Sequence, residues 1–125
     1  MIDHVSIGIG DLAAATAFYE RVLATLGYAK LEVRPATVGF GKKYPELWLN
    51  HRQGMAAVGA DTGTHVCLRA SSSAAVDAFH AAALAAGGKS DGAPGLRPHR
   101  TGGYYAAFIR DLDNNRIEAV TFVRG

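Results

Sequence analysis

An internal repeat constrains the fold of this sequence more than any other feature. When the chain is compared with itself at the offset that separates His4 from His65, several residue types coincide without a gap. The coinciding pairs are His4 with His65, Val5 with Val66, Phe18 with Phe79, Leu23 with Leu84 and Gly27 with Gly88. A chain of 125 residues has the length of one ordinary domain. We therefore predict a single domain, 1–125, made of two similar modules at 1–60 and 61–125.

The first module is predicted to contain one strand, one helix and three further strands. Residues 1–9 alternate between two kinds of side chain, which is the period of a strand with two different faces. Asp11 is a good N-cap residue, apolar residues follow it at helical spacings, and Gly27 supplies a left-handed stop. The further strands are predicted at about 29–34, 37–41 and 46–52.

The second module repeats the beginning of the first but departs from it in the middle. A strand is predicted at 64–70, followed by a helix that is capped by Ser72 or Ser73 and runs through Leu84. A Gly- and Pro-rich stretch, Asp91–Gly103, then breaks the repeat. Two strands are predicted after it, at about 104–110 and 116–123, joined by a tight turn at 113–115.

Two histidines and a glutamate are candidate metal ligands. Because side chains alternate across a strand, His4 and His65 both point away from the helices. If the two sheets close around a common cavity, the histidines face each other across it and Glu118 on the last strand joins them. Such a set suits Fe(II), Mn(II), Ni(II) or Zn(II) and leaves positions open for water and substrate. The alternative is that both imidazoles are hydrogen-bonded or exposed and that Glu118 is solvated.

Other residues are candidates for contact with a substrate. Arg97 and Arg100 suit bidentate recognition of an acid group, and either Tyr104 or Tyr105 can donate to a developing oxyanion, although the sequence does not decide which of them faces the cavity. The alternative is an exposed basic loop that ends in an ordinary aromatic strand. Three further candidates for the substrate wall are Trp48, Phe40 and Cys67, for which packing in the core is the competing interpretation.

Charge and composition exclude several classes of partner. The 13 basic and 11 acidic residues give a net charge of only +2 and are scattered, so we expect no nucleic acid partner. The chain shows neither a signal-peptide pattern nor an apolar run of membrane length, so we expect a cytoplasmic protein without a membrane partner. Cys67 is the only cysteine, so a metal would be held by nitrogen and oxygen.

Four motifs give the chain a family resemblance. His4-Val-Ser-Ile, Asp11-Leu with Ala17-Phe18-Tyr19, His65-Val, and Asp111-Leu-Asp-Asn-Asn-Arg-Ile-Glu118 resemble the vicinal oxygen chelate superfamily over the whole chain. The resemblance implies an α+β fold in which two tandem βαβββ modules form a cup-shaped, partly open β-barrel with the helices outside. It also implies a divalent metal ion in the cup, with His4, His65 and Glu118 as its ligands.

One position departs from the pattern of the metal-dependent members. Alignment of the last strands of the two modules puts Trp48 where a fourth ligand would stand, and a two-residue slip would put Glu46 there instead. Because glyoxalase-type proton transfer resembles a mechanism with a second metal-bound carboxylate, Trp48 argues against an ordinary glyoxalase I.

The resemblance favours a small metal-dependent enzyme that binds adjacent oxygens of a small polar or anionic substrate. Lyase or isomerase chemistry on an α-oxo compound comes first and thiol transfer to an epoxide second. The alternative is a metal-free protein that sequesters an antibiotic or metabolite, as the bleomycin-binding relatives do. Two-module relatives commonly dimerise, so we expect a homodimer, with His4 and His65 meeting either within one chain or across the interface.

Overall fold

The duplication predicted from the sequence is confirmed. The computed structural model describes residues 1–98 and 102–123, and in them each module consists of a strand, a helix and three strands. The first module contains β1 (Val5–Ile9), α1 (Leu12–Ala24), β2 (Ala29–Val33), β3 (Thr37–Gly41) and β4 (Pro45–His51). The second contains β5 (Val66–Arg69), α2 (Ser73–Ala85), β6 (Lys89–Arg97), β7 (Tyr104–Arg110) and β8 (Arg116–Phe122). The predicted fold of two tandem βαβββ modules is therefore confirmed.

Each module forms its own four-stranded sheet. The strand orders are β1-β4-β3-β2 and β5-β8-β7-β6, so the first strand of each module pairs with the last. This pairing is parallel, whereas all other pairs are antiparallel. A parallel pair needs a long crossover connection, and here the helix is part of it. Within the described residues no strand ladder joins the two sheets, so they form an open cup and not a closed barrel.

The helices begin where the sequence predicts. Asp11 caps α1 by accepting a hydrogen bond from the backbone N–H of Ala14 at 3.0 Å. Ser72, and not Ser73, caps α2 in the same way, with the Ala75 N–H at 3.1 Å. Neither helix is long and apolar enough to span a bilayer, which holds for all helices in the described part of the chain.

The core lies between the helices and one face of each sheet. It is a single cluster that draws on both modules, because α1 and α2 also pack against each other. Its largest fully buried side chains include Phe18, Tyr19, Phe40, Phe79, Leu47, Leu49, Ile109 and Ile117. The helix-facing positions of the inner strands are therefore used for packing, whereas β2 is exposed along its whole length, and the opposite face of each sheet is left for other contacts.

The strand β6 corrects the prediction for the middle of the second module. Residues 91–97 of the stretch that was expected to break the repeat instead belong to β6, which pairs with β7 in antiparallel register. This strand is not predicted from the sequence because it contains Gly92, Pro94 and Gly95, whose residue types are depleted in strands. The strand tolerates them because it lies at the edge of its sheet and the register shifts between Ser90 and Gly92 and again between Gly92 and Gly95.

A buried polar junction fixes the second module to the first. Asp111, which is 6% exposed, accepts a hydrogen bond from the Tyr19 hydroxyl at 2.5 Å and from Asn115 Nδ2 at 3.0 Å. Asn115 Nδ2 also donates to the Gly8 carbonyl at 2.9 Å. The predicted turn is present, with Asn114 at a φ of 70°. Burial raises the pKa of Asp111, and these hydrogen bonds to the carboxylate oppose that rise.

We expect Tyr19→Phe to destabilise the fold. The substitution removes one donor from a buried carboxylate and leaves the aromatic packing in place, so the free energy of unfolding should fall by about 1–3 kcal/mol. Urea denaturation followed by circular dichroism measures the change. The matched control is Tyr44→Phe, because Tyr44 is 51% exposed and its loss of a hydroxyl should change little. Equal stabilities of the two variants would contradict the role assigned to the junction.

Candidate functional site

The open face of the second sheet gathers most of the chemically active side chains. The ladders place Cys67 opposite Glu118, and Glu118 opposite Phe108, so these three residues form one row across β5, β8 and β7. Residues two positions away on each strand share the face. Their helix-facing neighbours, such as Ile117 and Ile109, are buried in the core. The open face is thus a separate surface built by strand alternation.

His65 and Glu118 form the centre of this surface. His65 Nε2 lies 3.0 Å from Glu118 Oε1, and the Tyr104 hydroxyl donates a hydrogen bond to Glu118 Oε2. Glu118 is only 2% exposed, whereas the side chain of His65 is 47% exposed. Partial burial and the hydrogen bond to Glu118 raise the pKa of the Tyr104 phenol, so Tyr104 remains a donor at neutral pH. Both carboxylate oxygens are held in fixed positions.

Cys67 lies beside Glu118 and is an exposed residue, so it is not a buried packing residue. Its thiol nevertheless lies within reach of the Glu118 carboxylate and the Tyr104 hydroxyl. Partial burial of the thiol, followed by the negative charge of Glu118, raises its pKa to about 12. Cys67 is therefore a protonated thiol at neutral pH and a poor nucleophile.

Two of the predicted site residues lie on the opposite face of their sheets. Tyr105 points to the helix side, where its hydroxyl donates to Asp77 Oδ1 of α2 at 2.6 Å. The structure therefore resolves the choice between the two tyrosines and brings Tyr104 to Glu118. Phe40 is fully buried against Tyr19 in the core, with ring centroids 6.4 Å apart, and does not reach the open face.

Trp48 occupies the position in the first module that corresponds to Glu118. Ser6 pairs with Trp48 as Cys67 pairs with Glu118, so the two-residue slip towards Glu46 does not occur. The Trp48 ring lies against Gly39, where a Cβ atom would come within 3.0 Å of it. The Arg34 guanidinium carbon lies 4.8 Å from the ring centroid. This part of the open face is an aromatic platform with a cation.

The hydrogen-bond partner of His4 within the described residues is Asp3. The His4 Nδ1 atom is 2.7 Å from Asp3 Oδ1, and His4 lines a cavity of about 220 Å³ together with Tyr28, Glu46 and Cys67. Within 1–98 and 102–123 no three His, Cys, Asp or Glu side chains are grouped so that they could hold a metal ion. A single chain therefore does not assemble the three predicted ligands.

Of the two arginines predicted to contact a substrate, Arg97 belongs to β6. The Arg97 guanidinium carbon lies 5.6 Å from the centroid of the Phe108 ring, and its Nη1 donates to the Gly95 carbonyl at 2.9 Å. Arg97 therefore lies on the open face at the edge strand. Arg100 lies outside the described residues.

An ionic cluster that was not predicted from the sequence lies on the same face. Asp91 accepts from Arg110 Nε at 3.3 Å and from Arg116 Nε at 3.0 Å. Strand alternation in the sequence could have placed both arginines on this face, because each lies an even number of residues from Tyr104 or Glu118 on its strand. Asp91 was hidden because β6 was not predicted. The cluster borders the His65–Glu118 pair.

The comparisons with known proteins agree with this fold. Residues 1–119 match the family model described as the Glyoxalase/Bleomycin resistance protein/Dioxygenase superfamily. The chain belongs to this superfamily. The resemblance seen in the sequence motifs is thereby confirmed, and the superfamily includes metal-using enzymes of the FosX type. No curated protein matches the chain significantly.

Solved structures of the superfamily cover almost the whole chain. A glyoxalase/bleomycin resistance protein from Albidiferax ferrireducens T118 is 29% identical, with a TM-score of 0.83 over 94% of this chain and 96% of that one. A family enzyme from Burkholderia phytofirmans PsJN is 21% identical, with a TM-score of 0.74 over 98% of both chains. A mutant of the fosfomycin resistance protein FosX from Listeria monocytogenes, in complex with Mn(II) and 1S,2S-dihydroxypropylphosphonic acid, is 19% identical, with a TM-score of 0.70 over 98% of this chain and 90% of that one.

We expect Cys67 to react slowly with iodoacetamide although the residue is exposed. Since its pKa is raised to about 12, the thiolate is scarce at pH 8 and the rate should be at least about tenfold below that of an unperturbed thiol. The rate should keep rising above pH 9, and Glu118→Gln should accelerate it because a neighbouring negative charge is removed. Mass spectrometry of metal-free protein measures the rate, with urea-unfolded protein as the control. A plateau near pH 9 in the folded protein would contradict the assigned environment.

Proposed function

We propose that this chain is a small metal-dependent enzyme. In this proposal His65 and Glu118 of one chain and His4 of a second copy would hold a divalent ion, which would supply a binding site for adjacent oxygens of a small polar or anionic substrate. The observation that carries the proposal is the His65–Glu118 pair on the open face of the second sheet.

The donor atoms of this pair fit a metal ion. His65 Nε2 and Glu118 Oε1 are separated by 3.0 Å, so both atoms could donate to one divalent ion. A carboxylate as buried as that of Glu118 is ordinarily paired or bound to a metal ion. One imidazole nitrogen and one carboxylate oxygen suit Mn(II), Fe(II), Ni(II) or Zn(II). The complex of FosX with Mn(II) and a vicinal diol supports the same chemistry here.

The third ligand is assigned to a second copy of the chain. His4 is exposed, with 51% of its side chain accessible, and lies on the first module, whereas the pair lies on the second. A twofold dimer can place the open face of the first sheet of one copy opposite that of the second sheet of the other. Each open sheet face is then covered by a sheet of the other copy, and the dimer contains two equivalent sites.

The residues around the site have separate tasks. A bound divalent ion would supply Lewis acidity that stabilises an enolate or alkoxide. Tyr104 holds the Glu118 carboxylate in place with its one hydroxyl proton, and donation to a developing oxyanion would require that hydroxyl to turn from Glu118 to the substrate. Trp48 stands at the position where a second metal-bound carboxylate would act as the base in glyoxalase-type proton transfer. Because an indole side chain is not a base, the proposed reaction differs from that of an ordinary glyoxalase I. Lyase or isomerase chemistry on an α-oxo compound is the first candidate and thiol transfer the second.

One observation favours a second candidate function, that of a metal-free binding protein. The platform of Trp48 on Gly39, with Arg34 beside the ring, is suited to stacking against a planar ligand. In such a protein His65 and Glu118 form a structural hydrogen bond. Metal affinity separates the two functions.

We expect His65→Ala to weaken Mn(II) binding by more than about tenfold, because it removes one of three ligands. Isothermal titration calorimetry and metal analysis of protein purified without chelator measure the effect. His80→Ala is the matched control, since His80 bonds to Ser90 on the outer surface. Wild-type protein that contains less than about a tenth of an equivalent of metal and binds none of the four candidate ions would rule out the metal-dependent enzyme.

Mixing variants tests whether the site is shared between two copies. His4→Ala and His65→Ala chains each lose both sites of their own dimer, but a mixed dimer regains one complete site. Refolded mixtures should therefore recover Mn(II) binding. The control mixture of His65→Ala with Glu118→Gln should not recover it, because both changes affect the same half of the site. A dimeric His4→Ala and His65→Ala mixture without recovery would contradict the shared site.

A further inference from the structure

The two arginines of the ionic cluster have more positive charge than their surroundings balance. Arg110 and Arg116 lie directly opposite each other in the ladder of β7 and β8. Like charges in such a pair are destabilising. Asp91 is the one carboxylate that both arginines contact in the described part of the chain, and each arginine contacts it through Nε. Two guanidinium groups therefore share one negative charge.

Burial makes this imbalance costly. The side chains of Arg110, Asp91 and Arg116 are 17%, 19% and 33% exposed, so solvent screens them incompletely. Arg110 Nη1 is buried and has no hydrogen-bond partner among residues 1–98 and 102–123. An arginine cannot relieve the imbalance by losing its proton. A second anion beside the cluster would balance the charge.

Arg116 lies on the same sheet face as the proposed metal ligands. Arg116 precedes Glu118 by two residues on β8, so the two side chains lie on one face with Cα atoms about 6.6–7 Å apart. His65 directly precedes Val66, whose ladder partner is Ile117, and this brings His65 level with Arg116. Within the described residues neither Nη atom of Arg116 makes a hydrogen bond, since its Nε alone contacts Asp91. These atoms are the ones available to a ligand at the site.

We propose that Arg116, supported by Arg110, binds an ionised acid group of the substrate. The group is an oxyanion, either a planar carboxylate or a tetrahedral phosphonate or phosphate, and the oxygens that reach His65 and Glu118 lie a few bonds from it. Asp91 orients the two guanidinium groups, and the substrate supplies the second negative charge. This inference rests on the proposed function for the position of the reacting oxygens, but the oxyanion subsite itself needs no metal.

Anion titrations in the presence of EDTA test the subsite independently of the metal. Inorganic phosphate and acetate are titrated at constant ionic strength into wild-type protein and into the Arg116→Gln and Arg116→Lys variants. The readouts are isothermal titration calorimetry and the NMR shifts of the arginine Nε–H groups. Arg21→Gln is the matched control, because Arg21 is an exposed arginine on α1. Thermal unfolding verifies that each variant is folded.

At least one probe should bind, and its dissociation constant should rise at least about tenfold in Arg116→Gln, as expected for the loss of charge-assisted hydrogen bonds. Arg116→Lys should lie between wild type and Arg116→Gln, and Arg21→Gln should equal wild type. Preference for phosphate or for acetate identifies the geometry of the acid group. Absence of binding at millimolar concentrations, or equal affinities of Arg116→Gln and Arg21→Gln, would overturn the proposal. Failure of Mn(II) binding alone would overturn the metal site and leave the subsite intact.

Discussion

Parallel pairing of the first and last strand of each module is the constraint on which the rest of this structure depends. It joins residues that are far apart in the sequence, and it is the reason that His65 and Glu118 meet. Each helix packs on one face of its sheet, so the strands divide their side chains between a packed side and an open side. Core and site can thus change independently, since adjacent residues such as Ile117 and Glu118 serve opposite faces.

The modules are alike in their backbone and unlike in their chemistry. At equivalent ladder positions the second sheet carries Glu118 and the first carries Trp48. The second sheet also has the ionic cluster of Asp91, Arg110 and Arg116, whereas the first presents an aromatic ring on glycine. In the proposed dimer every site combines one sheet of each kind. One half then contributes ionic contacts and the other a stacking surface.

Much of the fold was predictable from the sequence because the repeat and the caps are local signals. Asp11 and Ser72 start helices through their own hydrogen bonds, and alternation assigned Glu118 to the open face. Strand β6 was not predictable, since its glycines and proline are tolerated only through pairing with β7. The choice between Tyr104 and Tyr105 also needed the register of β7 and β8. The position of β6 and the orientation of the two tyrosines both depend on contacts between different segments of the chain, and no local sequence pattern predicts such contacts.

The polar junction between the modules has a consequence for motion. Tyr19, Asp111 and Asn115 join the turn after β7 to α1 and to the backbone of β1 through one buried and two part-buried hydrogen bonds. A hinge at this point would have to break these hydrogen bonds together, which makes bending of one chain slow compared with loop movements. In the proposed dimer, entry of small molecules into a cup built from two such halves would then depend on the rims of the cup, or on the lifetime of the contact between copies, and not on bending of either half.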